Sequence, residues 1–212
     1  MAGILDLLNS DLGKSIISGV AGSTGQDTNK TSNVLTMALP VLMKAMQRNA
    51  STPEGAEGLM GALNKHDGGI LENLGELFNG GANADVLQDG GNILNHVLGS
   101  KQQGVEQVIG QKAGMDSSAV ANILKTAAPI LMGVLGQQSR QNNIGNSSDL
   151  SGLLGGLLGG NSADKEQNFL EQILDADGDG SIVDDVAGMV LGNSDQKSGG
   201  VLGNILGGLF GK

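Results

Sequence analysis

Part of the chain repeats itself along the sequence, and this repeat sets the strongest limit on how the chain can fold. Residues 4–47 align with residues 93–136 without a gap, at a constant shift of 89 positions (93 minus 4). Ten aligned pairs are identical: Ile4/Ile93, Leu5/Leu94, Gly25/Gly114, Asp27/Asp116, Asn33/Asn122, Leu35/Leu124, Ala38/Ala127, Pro40/Pro129, Leu42/Leu131 and Met43/Met132. Chance matches are common in a chain rich in leucine and glycine, but chance does not readily place Gly-x-Asp, Asn and Pro in one ungapped register. We therefore predict two internally duplicated units.

Each copy of the repeat carries the signals of a helix that ends, a cap, and a longer helix. Gly25 and Gly114 stand where C′ glycines end helices, and Asp27 and Asp116 can cap the helices that follow. The longer helices then carry apolar residues almost all round, which is typical of helices inside a core. The predicted fold class is all-α.

A proline lies inside each predicted long helix. Pro40 falls within the apolar stretch 34–46, and Pro129 falls within 120–135. Because a proline inside a helix removes one backbone hydrogen bond, each is expected to kink its helix. We favour curved central helices wrapped by shorter ones over a pair of hinges.

The stretch 175–186 has the ligand spacing of a calcium loop. Calcium takes about six to eight oxygen ligands, and a helix-loop-helix site supplies them from loop positions 1, 3, 5, 7, 9 and 12. The residues at the first four of these positions are Asp175, Asp177, Asp179 and Ser181, the last of which would bind through its backbone carbonyl. Because the loop holds no lysine or arginine among its carboxylates, we favour bound Ca²⁺ over a solvated acidic turn.

The end of this loop departs from the usual pattern. Position 12, where a Glu is expected, is Val186, and the nearest acids are Asp184 and Asp185. We assign the closing ligand to Asp185, which falls in the first turn of the following helix, where the dipole favours an anion, and Asp184 is the alternative. The segment 164–174 before the loop also has helical spacing. Residues 161–193 are therefore predicted to form an EF-hand-like helix-loop-helix with a structural calcium ion.

The charge of the chain limits its partners and its location. A net charge of −10 and a pI near 4.4 argue against binding to nucleic acid or to anionic lipid, both of which need a basic surface. No uninterrupted apolar run approaches the roughly 18 residues of a membrane span. The N-terminal residues 1–11 lack the basic region of a secretory signal. We expect a cytoplasmic protein with neither nucleic acid nor membrane as a partner.

Signals of catalysis are weak. The only histidines are His66 and His96, and neither stands in an evident Ser/His/Asp grouping, so we interpret both as structural. The chain has no cysteine, and its glycine-rich runs at 155–156 and 159–160 follow leucine-rich helical segments without a preceding strand. We predict that the chain is not an enzyme, and its sequence identifies no small-molecule substrate.

The predicted elements divide the chain into four parts. A first helical repeat covers 1–85, a second covers 86–160, the EF-hand-like unit covers 161–193, and a glycine-rich linker with an apolar C-terminal segment covers 194–212. Apolar residues at 201, 202, 205, 206, 209 and 210 give the last segment an amphipathic helical spacing. This segment either folds back on its own core or docks on another subunit. A membrane contact is disfavoured because its polar face lacks basic residues.

Several of these motifs together resemble a known family. They are Gly-Ile-Leu-Asp-Leu-Leu at 3–8, Ala-Leu-Pro-Val-Leu-Met at 38–43, its counterpart Ala-Pro-Ile-Leu-Met at 128–132, and the acidic loop with its following Asp-Asp. In combination they look like the bacterial domain-of-unknown-function family numbered 937, and the resemblance covers nearly the whole chain. It implies an all-helical bacterial protein without an assigned activity.

Two functions fit these observations. We expect a non-enzymatic structural or interaction protein that self-associates through apolar helices, as a homo-oligomer or a larger assembly, with Ca²⁺ clamping the C-terminal helix pair. The alternative is a calcium-responsive module that binds another protein. Calcium would stabilise or polymerise the first kind of protein, whereas it would expose a binding groove in the second.

Overall fold

A computed structural model describes residues 3–66, 68–78 and 83–158. These residues form ten α-helices and one 3-10 turn, and they contain no strand. The helices are α1 (Ile4–Asn9), α2 (Asp11–Thr24), α3 (Thr28–Asn49), α4 (Pro53–Lys65), α5 (Gly69–Glu72), α6 (Leu74–Phe78), α7 (Ala84–Leu98), α8 (Gln102–Ala113), α9 (Ser117–Gln141) and α10 (Ser147–Leu158), with the 3-10 turn at Gly99–Lys101 between α7 and α8. The predicted all-α class is confirmed for this part of the chain.

Two long helices, α3 and α9, form the centre of the fold. Helix α9 packs against α2, α3, α4, α5, α7 and α8, while α3 packs against α1, α2, α4, α7, α8 and α10. More than half of α9 is buried, on every side of the helix, as expected for a segment whose apolar residues run almost all round it. The shorter helices therefore wrap two central ones.

Helix α9 has the length and hydropathy of a membrane span, yet it lies in the core. It is the single helix of the described residues that is long and apolar enough to cross a membrane by these criteria. However, 78% of its most apolar stretch is buried inside the fold. Core helices of globular proteins share this composition, so the stretch is accounted for by packing.

The helix ends follow the local signals in the sequence. Gly25 and Gly114 end α2 and α8 in the left-handed conformation, with φ of 66° and 63°. Asp27 caps α3, because its side chain accepts a hydrogen bond from the backbone N–H of Lys30. Asp116 occupies the same position before α9 with a similar extended backbone, but its side chain makes no capping bond. The predicted capping position is therefore correct for both helices, but the capping hydrogen bond forms only at Asp27.

Both internal prolines are accommodated without ending their helices. Pro40 lies within α3 and Pro129 within α9, and both side chains are buried. Each proline lacks the N–H that would bond to the carbonyl four residues earlier in the helix. In α9 the carbonyl without this donor is that of Lys125. This carbonyl faces α7, where Gly90 packs against it.

A single hydrophobic cluster joins the described helices. It contains apolar residues from both matched segments and from α10, and its members are mainly Leu, Ile, Val, Met and Ala. Among the large apolar side chains in the described ranges, only Leu12 is exposed, at 39%. The other large apolar side chains of these ranges are buried or partly buried.

Candidate functional site

The predicted calcium site lies outside the described residues. All six candidate ligands fall beyond residue 158: Asp175, Asp177, Asp179, Ser181, Asp184 and Asp185. The EF-hand-like unit at 161–193 and the C-terminal segment at 194–212 lie there as well. Within 3–66, 68–78 and 83–158, no group of three or more His, Asp or Glu side chains is placed to hold a metal ion. The calcium site remains a prediction from the sequence.

The two histidines of the chain line one groove between α4 and α7. This groove has a volume of about 380 Å³, and its lining includes His66 at the end of α4 and His96 on α7. Asp89 lies seven residues before His96, so both side chains point from α7 toward the same groove. The structure places the two histidines, which the sequence analysis interprets as structural, along one surface.

His66 is held by a hydrogen bond at each ring nitrogen. Its Nδ1 lies 2.9 Å from the carbonyl oxygen of Ala62, and its Nε2 lies 2.8 Å from Oδ2 of Asp89. The His66 side chain is only 18% exposed, whereas that of Asp89 is 47% exposed. Both neighbours offer acceptors, so both bonds form when each ring nitrogen carries a proton, or when the carboxyl group of Asp89 carries one. The pair connects the end of α4 to α7.

His96 lies farther along the groove, next to a glycine of α4. A Cβ atom placed on Gly58 would lie 3.1 Å from Nε2 of His96, so the ring packs closely over the backbone of α4. The His96 side chain is exposed, and no hydrogen bond to its ring is found within the described ranges. One ring in the groove is thus fixed, while the other is available to a partner.

Apolar and small residues make up most of the rest of the groove, together with Lys65 and Asn92. Leu59, Ile93, Val97 and Met132 supply its apolar surface, and Gly58, Gly61 and Ala62 supply a row of small residues along α4. No Ser, Thr, Tyr or Cys is among the lining residues. The His66–Asp89 pair therefore has no hydroxyl or thiol beside it to activate, and the shape suits an apolar segment better than a reacting substrate.

A partial signal for the groove exists in the sequence. Asp89, Asn92, Ile93 and His96 follow the i, i+3, i+4, i+7 spacing of one helix face, with polar residues where an isolated core helix would carry apolar ones. Nothing local indicates that the end of α4 lies against this face. The contact joins residues 23 positions apart, so it follows from the packing of both helices on α9.

These residues define a class of protein: an all-α bundle with two buried central helices and a histidine-bearing apolar groove. A family model described as bacterial protein of unknown function (DUF937) matches residues 6–138, which is more than half of the chain. The chain belongs to this family, as the motifs at 3–8, 38–43 and 128–132 suggest, while the acidic loop lies outside the matched residues. No curated protein and no solved structure matches it.

Proposed function

We propose that the chain is a non-enzymatic structural or interaction protein that self-associates through the groove between α4 and α7. Calcium, bound at the acidic loop, would clamp the C-terminal helix pair and so control the assembly. The observation that carries this proposal is the groove itself, which is lined by the buried apolar side chains of Leu59, Ile93, Val97 and Met132 and by the exposed ring of His96. A concave surface lined largely by apolar side chains is typical of a binding site.

The occupant that we propose is the C-terminal segment 201–210 of a second copy. This segment carries six apolar residues at helical spacing and no charged residue. Its glycines at 203, 207 and 208 match the small residues along α4, and small residues on both sides allow two helix backbones to approach closely. Because the segment and the groove are different surfaces and belong to different copies, the contact is heterologous and can propagate into a polymer.

Calcium binding at the loop 175–186 is the second part of the proposal. Asp175, Asp177 and Asp179 would supply carboxylates, Ser181 its carbonyl, and Asp185, or alternatively Asp184, the closing ligand. Oxygen ligands of this kind suit a hard divalent cation. Binding would fix the loop between residue 158 and the docking segment, and so limit the positions that the segment can reach.

Two further statements belong to this proposal. We infer that the two matched segments arose by duplication, which is supported by the paired left-handed glycines at 25 and 114 and the paired internal prolines at 40 and 129. We also place the protein in the cytoplasm, with neither nucleic acid nor membrane as a partner. The net charge of −10 supports this placement.

Two matched glycine variants test whether the groove is the contact surface. Gly61 in α4 lines the groove and Gly152 in α10 does not; both are exposed, and a Cβ on either would meet no atom within 4 Å. Gly61→Gln would therefore fill the groove without disturbing the fold, and Gly152→Gln is the control. We expect light scattering to show a lower particle mass for Gly61→Gln and an unchanged mass for Gly152→Gln. Equal masses for both variants and the unchanged protein would refute the groove as the contact.

The calcium part has its own test. Light scattering and thermal unfolding of the full chain, with calcium and with a chelator, are compared with those of the double variant Asp175→Asn, Asp179→Asn. We expect calcium to raise the melting temperature and the particle mass of the unchanged chain but not those of the double variant. If calcium leaves the mass unchanged but increases binding of an apolar dye at the groove, the alternative, a calcium-responsive module for another protein, is supported instead. No response in any of these quantities would leave the loop as an acidic turn.

A further inference from the structure

A buried carboxylate lies on α8 at a position where the matched segment has an apolar residue. Glu106 is 8% exposed and falls in the buried face of α8. The shift that aligns the two segments pairs it with Ile17 of α2, which is 7% exposed. This position is thus about equally buried in the two copies, but it holds a carboxylate in one and an apolar side chain in the other. Burial of a carboxylate is unfavourable, so its retention needs an explanation in its surroundings.

The described residues only partly compensate this charge. The side-chain amide of Gln102 donates a hydrogen bond to Oε1 of Glu106 at 2.7 Å. No lysine, arginine or histidine of the described ranges forms an ion pair with this carboxylate. Glu106 instead lines a pocket of about 480 Å³ between the end of α7, the 3-10 turn, α8 and α9. A ligand in this pocket can therefore reach the carboxylate.

One basic side chain lines the same pocket. Lys125 of α9 lines it, is partly buried, and has no hydrogen-bond or ion-pair partner among the described residues. The pocket is also lined by Asn95, Ser100 and Gln103, whose side chains are neutral donors and acceptors. It thus combines a carboxylate, an ammonium group and uncharged polar groups in one surface pocket.

We propose that this pocket binds a small zwitterion that carries an ammonium and a carboxylate, such as a free polar amino acid. The ammonium of the ligand would pair with Glu106, and its carboxylate would pair with Lys125. A simple cation would leave Lys125 unpaired and a simple anion would face Glu106, whereas a zwitterion satisfies both groups at once. The volume lies within the range of about 300–1,000 Å³ that is usual for small-molecule sites.

The site is independent of the groove between α4 and α7. The two cavities share no lining residue, because the groove uses Asn92, Ile93, His96 and Val97 of α7 and the pocket uses Asn95. Binding of the zwitterion is therefore expected to persist in the Gly61→Gln variant. If the self-association proposal fails, this inference still stands. If this inference fails, the self-association proposal is unaffected.

The test is an NMR titration of the full ¹⁵N-labelled chain with glycine, L-serine, L-asparagine and L-glutamine as probes. We expect at least one of them to shift the amide signals of residues 95–106 and 121–125 saturably. Sodium acetate and ethylammonium chloride, which each carry one of the two charges, should bind at least about tenfold more weakly, as should the zwitterion to Glu106→Gln or Lys125→Gln. The control Glu54→Gln, at an exposed position of α4, should bind as the unchanged chain does.

Two outcomes of the titration would overturn the proposal. One is that none of the four amino acids shifts these signals. The other is that the shifts persist unchanged in Glu106→Gln. A further variant, Glu106→Ile, places the residue of the matched segment at this position, and we expect it to raise the melting temperature and to abolish the shifts. If the shifts persist in Glu106→Ile, the binding role of the carboxylate is refuted.

Discussion

The contact between α7 and α9 should depend on one glycine of an adjacent pair. A Cβ atom on Gly90 would overlap the carbonyl oxygen of Lys125 and lie 2.6 Å from its carbonyl carbon, whereas a Cβ on Gly91 would meet only the Cε atom of Lys125, at 3.9 Å. The Lys125 carbonyl lacks its helical donor because Pro129 has no N–H. The backbone of α7 therefore packs against a backbone oxygen of α9 that lacks its helical donor. This oxygen cannot rotate away from a new Cβ as a side-chain atom could.

The two alanine variants are expected to change stability in opposite directions. Replacing glycine by alanine inside a helix stabilises the folded state by about 0.5–1 kcal/mol, and Gly91→Ala should gain this amount. In Gly90→Ala, the new Cβ would overlap the carbonyl oxygen of Lys125, so α7 has to move away from the backbone of α9. This movement loosens the packing along the contact, and overpacking of this kind typically costs about 1–3 kcal/mol. We expect a net loss of about 2 kcal/mol for Gly90→Ala.

Urea unfolding followed by circular dichroism at the helical band measures both values. The midpoint should fall for Gly90→Ala and rise for Gly91→Ala, with similar slopes, so that the two variants differ by about 3 kcal/mol. Because the substitutions are chemically identical and one residue apart, helix propensity cancels in the comparison. A rise or a fall of the same size in both variants would refute the close backbone contact between α7 and α9.

Two further stability predictions follow from buried polar groups. The hydroxyl of Thr31 is buried and has no hydrogen-bond partner among the described residues. The matched position holds Val120, so Thr31→Val should stabilise the fold by about 1 kcal/mol. Thr126→Val removes a bonded hydroxyl and should be neutral or mildly destabilising; thermal unfolding that reverses this order would contradict the assignment. His66→Ala should lower the free energy of unfolding by about 1 kcal/mol, and Asp89→Asn by less, because its amide oxygen still accepts a bond from His66. Urea unfolding that shows the larger loss for Asp89→Asn would rule out this account.

Local signals predicted much of the fold, and contacts between distant helices account for what they missed. The helix ends at Gly25 and Gly114 and the buried long helices follow from glycine placement and apolar periodicity, which act within one or two turns. The missing bond of Asp116 shows the limit of such signals, because the residue type suits a cap but does not decide whether its side chain turns toward the helix. The groove and the burial of Glu106 lie beyond that limit, since both are created by helices meeting on α9.

Two glycines of the core, Gly90 and Gly136, help to set the position of the His66–Asp89 pair. A Cβ on Gly136 of α9 would overlap the carbonyl oxygen of His66 and lie 2.8 Å from that of Leu63. The last turn of α4 therefore rests directly on the backbone of α9, and the same α9 holds α7 through Gly90. Because both helices are placed against one rigid support, the ring of His66 meets Asp89 at 2.8 Å without any direct pairing signal between α4 and α7. Close backbone contacts in a core with few aromatic residues thus set the position of this side-chain pair.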